Sequence, residues 1–282
     1  MTTANRIVAS LYRAGVNSYT STMLRGFLAA ALMIGMVGTL VAQTQDSDAV
    51  LEQAQRAVTA RDFGRAAELY QQLEDLEPEG GSYAYNLGVA FLALDQVEDA
   101  LAAFDRAADA GLQSTELDYN RGIAQYRLQQ YEGALLSFDA ALATAPQDSD
   151  AAVNRALTLL QLEGPAVAEE QFLAITESDP GVAAAWVHAG NIAFDRLDYD
   201  VAAQRFERAL SADPTHRVAM FNRGNALLLA GMPDQALQQY EALQRIDPQF
   251  RDLTANVELA RQAADRLQQT AQDTTAEDAT DS

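Results

Sequence analysis

The sequence predicts an all-α fold, a solenoid of stacked helix–turn–helix units, and three observations carry that prediction. The stretch "YNLGVAF" at Tyr85–Phe91 returns as "YNRGIAQ" at Tyr119–Gln125 and as "FNRGNAL" at Phe221–Leu227, at multiples of 34 residues. A small residue recurs at the same period, at Ala54, Gly88, Gly122, Ala156, Gly190 and Gly224, and serves below as the reference position of each unit. Twelve residues after each stands an alanine (Ala66, Ala100, Ala134, Ala168, Ala202, Ala236), and four further on an aromatic (Tyr70, Phe104, Phe138, Phe172, Phe206, Tyr240). A fixed period of this length marks a stacked array, because one unit cannot bury its apolar face alone and its neighbours can.

Each element follows from local chemistry. Gly inside a helix costs roughly 0.5–1 kcal/mol relative to Ala, so its return at one register calls for two helices in close approach. The alanine twelve residues on is expected to form the opposite wall, with the aromatic filling the space beside it. Between the halves of each unit stand "ARDFGR", "LDQVED", "LQQYEG", "LEGPAV", "RLDYDV" and "AGMPDQ", whose Gly, Pro and Asp mark a tight turn. Pro165 and Pro233 suit the first turn of a helix, where a missing N–H does no harm. Pro78, Pro146, Pro180, Pro214 and Pro248 close five units, and Leu112 stands in that place in the other. The units so defined are 47–80, 81–114, 115–148, 149–182, 183–216 and 217–250.

These residues resemble the tetratricopeptide repeat family, whose signature runs aromatic, Leu-Gly, Tyr, then Ala-x3-Phe and a late Pro. Trp186 in "AAWVHAGNIAF" takes the first aromatic place, and "NLGVAF", "ALAAF" and "DP" supply the rest. Arg121, Arg155 and Arg223 depart from the pattern, standing where Leu is usual, and are expected to snorkel or to pair with neighbouring carboxylates. The resemblance implies a right-handed superhelix whose first helices line a concave face, and a protein–protein interaction module without catalytic activity.

Beyond the units, "RDLTANVELARQAADRLQQ" carries one apolar stripe, Leu253, Val257, Ala260, Ala264 and Leu267, and reads as a capping helix over 251–269. The acidic end, 270–282, lacks apolar spacing and is expected to be disordered. At the other end the first 45 residues hold no acid, and Gly26–Ala42 is an uncharged apolar run behind Arg6, Arg13 and Arg25. Residues 1–42 therefore read as a signal peptide cleaved near Ala42 or as a membrane anchor over 26–42. A start at Met23 would itself give a well-proportioned signal peptide. The flanking charge sends the repeats across the membrane in either case, so the expected location is periplasmic.

Composition narrows the chemistry. The chain has no cysteine and no lysine, with 19 Arg against 40 Asp plus Glu and a net charge of −21. Acidity of this degree argues against nucleic acid as a partner. A GC-rich genome and salt adaptation both account for the missing lysine and the acidic surface. The two histidines do not form a catalytic or metal-ligating set: His188 sits where other units have Asn, and His216 follows "DPT" in an inter-repeat turn. No catalytic residue, metal or cofactor is expected.

Function is then expected on the concave face. Two residues before the reference position stand Glu52, Asn86, Asn120, Asn154, His188 and Asn222, resembling the asparagine ladder in the repeats of O-linked N-acetylglucosamine transferases. An amide offers both donor and acceptor to the backbone of an extended chain. The expected peptide groove comprises Tyr85, Asn86, Tyr119, Asn120, Tyr126, Asn154, His188, Asn191, Phe221, Asn222 and Asn225. An acidic tail is a poor fit, since Arg127 is the one cation on that face and Glu116, Asp150 and Asp195 lie near it. The partner is expected to be a protein or peptide segment of apolar or basic character, with membrane contact only through the N-terminal segment. The alternative is a structural subunit of an anchored envelope assembly working through its outer surface, since the last repeat and "NVELARQ" resemble repeat proteins of bacterial aerotolerance clusters.

Overall fold

The structure, a computed structural model, describes the backbone of residues 34–77, 79 and 81–280, and side chains over 47–77, 79, 81–270 and 272. The described residues hold helices and turns and no strand. In chain order the helices are α1 Ile34–Thr59, α2 Phe63–Leu76, α3 Gly81–Ala93, α4 Val97–Asp109, α5 Thr115–Arg127, α6 Tyr131–Thr144 and α7 Ser149–Leu162. They continue as α8 Pro165–Ser178, α9 Ala183–Asp195, α10 Tyr199–Ala212, α11 Arg217–Leu229, α12 Pro233–Ile246 and α13 Leu253–Thr280. The chain divides into two compact units, Met1–Thr158 and Leu159–Ser282.

In the first unit each helix from α1 to α6 packs on the next, and α3 also touches α5. In the second the same holds from α8 to α13, and the first helices α9, α11 and α13 touch in succession. Odd-numbered helices thus form one layer of each unit and even-numbered helices the other. Tyr70, Tyr85, Leu87 and Phe104 centre the first core, joined by a cluster of Tyr119, Phe138 and Ala151. Phe206, Leu227, Tyr240 and Leu253 centre the second.

The close approach expected at the reference glycines is present, but its partner differs from the expectation. A methyl group on Gly88 would stand 2.6 Å from the Phe104 ring, on Gly122 2.8 Å from Phe138, on Gly190 2.6 Å from Phe206 and on Gly224 2.3 Å from Tyr240. The aromatic sixteen residues on is therefore the wall that excludes a side chain. The alanines twelve on are fully buried, and their small size lets the second helix come near enough for the ring to reach.

The turn inside each unit is one device repeated. The N–H eight residues past the reference position donates to the carbonyl three past it: Asp62 to Ala57, Gln96 to Phe91, Gln130 to Gln125, Gly164 to Leu159, Asp198 to Ala193 and Met232 to Leu227. This is the six-to-one bond of a Schellman motif, whose usual form has a left-handed residue just before the donor. Arg61, Asp95, Gln129, Leu197 and Gly231 supply it in five of the turns, with φ of 59°, 66°, 60°, 68° and 78°, whereas in the fourth turn the donor Gly164 itself has the positive φ, 92°, just ahead of Pro165.

Second helices end differently. The residue before proline leaves the helical region, as at Ala145 (φ −127°, ψ 77°) and Asp213 (φ −134°, ψ 95°), because the proline ring crowds it. Asp179, Asp213 and Asp247 then accept from the N–H two residues on, at 2.8, 2.9 and 3.2 Å. Helix α4 is the exception that Leu112 announces. It closes through Gly111 at φ 83° and a Leu112 N–H bond to the Ala107 carbonyl, so proline has no place there.

At the C-terminus two expectations are corrected. The capping helix begins at Leu253 and runs to Thr280, so the tail expected to be disordered from 270 is helical over its described residues. "TAQDTTAEDAT" has no Gly or Pro to stop a helix already nucleated on the core, and helix propagation is far easier than nucleation. The cap also keeps the repeat's register. Asn256 lies 34 residues after Asn222, and Glu258 stands at the reference position. Helix α13 passes straight through Asp265 and Arg266, where the turn would otherwise fall.

At the N-terminus, Gly26–Met33 of the expected apolar run lies outside the described residues. No helix among the described residues is long and apolar enough to cross a membrane.

Candidate functional site

The expected groove residues divide into two groups. Tyr85, Asn86, Tyr119 and Asn120 are buried in the first unit and present no surface to a ligand. Asn120 donates from Nδ2 to the Tyr85 hydroxyl at 2.9 Å, and Asn154 donates to the Tyr119 hydroxyl at 3.2 Å. The amide of one repeat thus ties to the phenol of the repeat before it, 35 residues back. Asn86 has Leu51 at that distance, which offers no hydroxyl, and both polar atoms of its side chain are buried without a hydrogen-bond partner among the described residues. Tyr126 is half-buried, edge-on to Tyr131 at 5.5 Å. Here the ladder is a fastening between repeats.

The second unit lacks tyrosine at the matching places, Val187 and Phe221, and its asparagines turn elsewhere. Asn222 donates to Asn191 Oδ1 at 2.9 Å, and Asn256 of the cap donates to Asn225 Oδ1 at 2.8 Å, a spacing of 31 residues in both. Tyr240 also donates its hydroxyl to Asn225 Oδ1, at 2.6 Å. Burial pushes the Tyr240 phenol up to about 12, with the hydrogen bond from Asn256 opposing the shift.

These asparagines stay half-exposed. Asn191, Asn222 and Asn225, with Phe194 and Asp195, line a cavity of about 350 Å³ on α9 and α11. The structure thus places Asn191, Asn222 and Asn225 around one cavity, together with Phe194 and Asp195. Asn256 is the residue sequence reading passed over, although its distance of 34 from Asn222 marks it.

The remaining expected residues support this wall. Phe221 packs between the rings of Tyr240 and Phe250, at 6.1 and 5.2 Å. His188 stacks on Phe172 at 5.1 Å and 21°. Burial holds the His188 imidazole below its ordinary range, and the nearby His216 adds to that effect. His216 is the N-cap of α11, its Nδ1 accepting from the Ala219 N–H at 3.2 Å.

The arginines are committed, as expected of those at 121, 155 and 223. Arg121 pairs with Asp105 at 2.7 Å, Arg155 with Asp139 at 2.5 Å and Arg223 with Glu207 at 3.1 Å, each sixteen residues back on the preceding second helix. Arg127 pairs with Asp95. Glu169, barely exposed, binds Arg205 and Arg196. Burial alone would raise the Glu169 carboxyl, and the two arginines outweigh it and hold it below the usual range. Among the described residues no group of three or more His, Asp or Glu side chains is arranged to hold a metal ion.

Comparison with known proteins fits this geometry. The tetratricopeptide repeat profile matches residues 51–115, 92–149, 119–183, 153–196 and 189–249. No curated protein sequence matches the chain. Among solved structures, YrrB, described as a TPR protein with an unusual peptide-binding site, is similar at a TM-score of 0.54 and 22% identity, over 67% of this chain and 97% of that one. The pilF protein of Pseudomonas aeruginosa reaches 0.59 at 16% identity, over 76% and 97% of the two chains. A tetratricopeptide repeat protein of Parabacteroides merdae reaches 0.58 at 17% identity, over 77% and 99%. Likeness at these identities speaks to the fold. With its profile running from residue 51 to residue 249, the chain belongs to the tetratricopeptide repeat family.

Proposed function

We propose that the protein is an exported adaptor that captures an extended segment of another protein on the face made by α9 and α11. The observation that carries this reading is the cavity of about 350 Å³ lined by Asn191, Phe194, Asp195, Asn222 and Asn225. Concave, partly apolar sites with a few convergent polar groups are where ligands bind. An amide ladder suits a peptide backbone, and Phe194 offers apolar contact area. The acid-free first 45 residues, with Arg6, Arg13 and Arg25 ahead of the apolar run Gly26–Ala42, support export.

A second reading has its own support. Helix α1 runs unbroken from Ile34 to Thr59, so cleavage after Ala42 would fall inside a helix. That continuity favours a retained anchor and an envelope assembly reached through the outer helices.

In-cell photo-crosslinking separates the two. A photoreactive residue at position 194 should give a discrete adduct with an envelope or secreted protein, and one at the exposed position 208 on α10 should not. Adducts at 208 alone would overturn groove capture in favour of the outer surface, and a cytoplasmic partner would overturn export.

A further inference from the structure

The cavity's chemistry points to what enters it, an inference that rests on the groove reading. Asp195 is the last residue of α9, exposed and lining the cavity. A carboxylate there meets the partial negative charge of the helix's last carbonyls, the unfavourable end for an anion. Among the described residues no cation compensates it. Arg196 turns to Glu169 and Asp198, Arg205 holds Glu169 and the Ala189 carbonyl, and Arg223 holds Gln239 and Glu207. The repeat does not demand an acid here, because the same place in the first unit, five past Gly122, is Arg127.

The lining amides have unused valences of a definite kind. Asn222 uses an amide hydrogen on Asn191, and Asn225 uses its oxygen on Asn256 and Tyr240. That leaves the Asn222 oxygen as an acceptor, and the amide nitrogens of Asn191 and Asn225 as donors. Phe194 is held edge-on by Tyr199 at 5.3 Å and 66°. A fixed ring beside a carboxylate suits a long cationic side chain, whose stem is apolar and whose head is attracted to the ring face.

We propose that this cavity is a cation-recognition subsite, taking one arginine or lysine side chain of an extended partner segment. The head pairs with Asp195 and the Asn222 oxygen, the stem lies on Phe194, and the amide nitrogens of Asn191 and Asn225 hold backbone carbonyls of the segment. The net charge of −21 draws a basic segment toward the face.

The test titrates the full chain against immobilised heptapeptides, Ala-Gly-Ala-X-Ala-Gly-Ala, with X as Arg, Lys, Gln, Glu or Leu. Arg- and Lys-centred peptides should bind about tenfold more tightly than the Gln-centred one, the scale of a single charge-assisted contact. Asp195→Asn should bring that ratio to about one and raise Tm, since the unfavourable charge is gone. Asn222→Ala should weaken every peptide. If peptides bind, Asn222→Ala weakens them and the Gln-, Leu- or Glu-centred ones bind as well as Arg, the cation subsite is overturned while the groove reading stands. If no peptide binds, both fall together.

Discussion

Asn86 and Asn120 occupy the same place in successive repeats, and only one of them has a partner. Asn120 is 3% exposed and bonded to Tyr85, whereas Asn86 is 1% exposed and unpaired among the described residues. A buried unsatisfied amide costs about 1–3 kcal/mol, and a made hydrogen bond contributes about 1. Asn86→Leu should therefore raise the urea midpoint, by about 1–2 kcal/mol in stability, and Asn120→Leu should lower it by about 1 kcal/mol. A fall with Asn86→Leu would show that its amide has a partner. The asparagine line itself was legible in the sequence, since its period is 34. Its burial in the first unit was not, because a consensus polar residue reads the same whether it faces a ligand or a tyrosine of the preceding repeat. What decides between the two is the residue 35 positions back, Tyr85 or Tyr119 in one unit and Val187 in the other.

Helices were the most legible scale, and their turns the least. Small residues, alanines and rings mark every helix pair, and five prolines mark the ends of second helices, so the elements could be placed in order. The positive-φ residue is hidden at four of the six internal turns, where Arg61, Asp95, Gln129 and Leu197 hold it, and has the expected type at Gly164 and Gly231. Packing of the two helices and the Schellman bond outweigh a left-handed penalty of about 1–2 kcal/mol. Leu197 is 67% exposed, so little contact is lost if it is changed. Leu197→Gly should raise stability by about 0.5–1 kcal/mol, the relief of strain exceeding the added freedom of the unfolded chain. Gly231→Ala should lower it by about 1 kcal/mol, for backbone reasons alone, since a methyl there would touch nothing within 4 Å. Thermal melts showing the same sign for both variants would refute this account of the turn.

For the whole molecule the deciding quantity is charge, with 40 acidic residues against 19 arginines. Most of the ion pairs are exposed, and such pairs contribute about 0–1 kcal/mol each, so screening them loses less than screening the excess of acid gains. Raising NaCl from about 20 mM to about 1 M shortens the Debye length to about 3 Å. Tm should rise by several degrees, with about 1 kcal/mol moving it by ~2–4 °C, and a fall would show that ion pairs outweigh repulsion. The family and the absence of strands in the described residues followed from period alone, whereas the cavity did not, because it depends on which amides are already bonded to each other. The register of α13 bears on the length such a chain can have. A 34-residue block copied or deleted ahead of Leu253 would return every face to a neighbour of the same shape, so the gene can lengthen or shorten its array without inventing a new end. Growth past α13 is different: Glu258 puts a carboxylate where an aromatic would have to pack against glycine, and the helix sails past the place for a turn. The cap is a full stop written in the alphabet of the repeat.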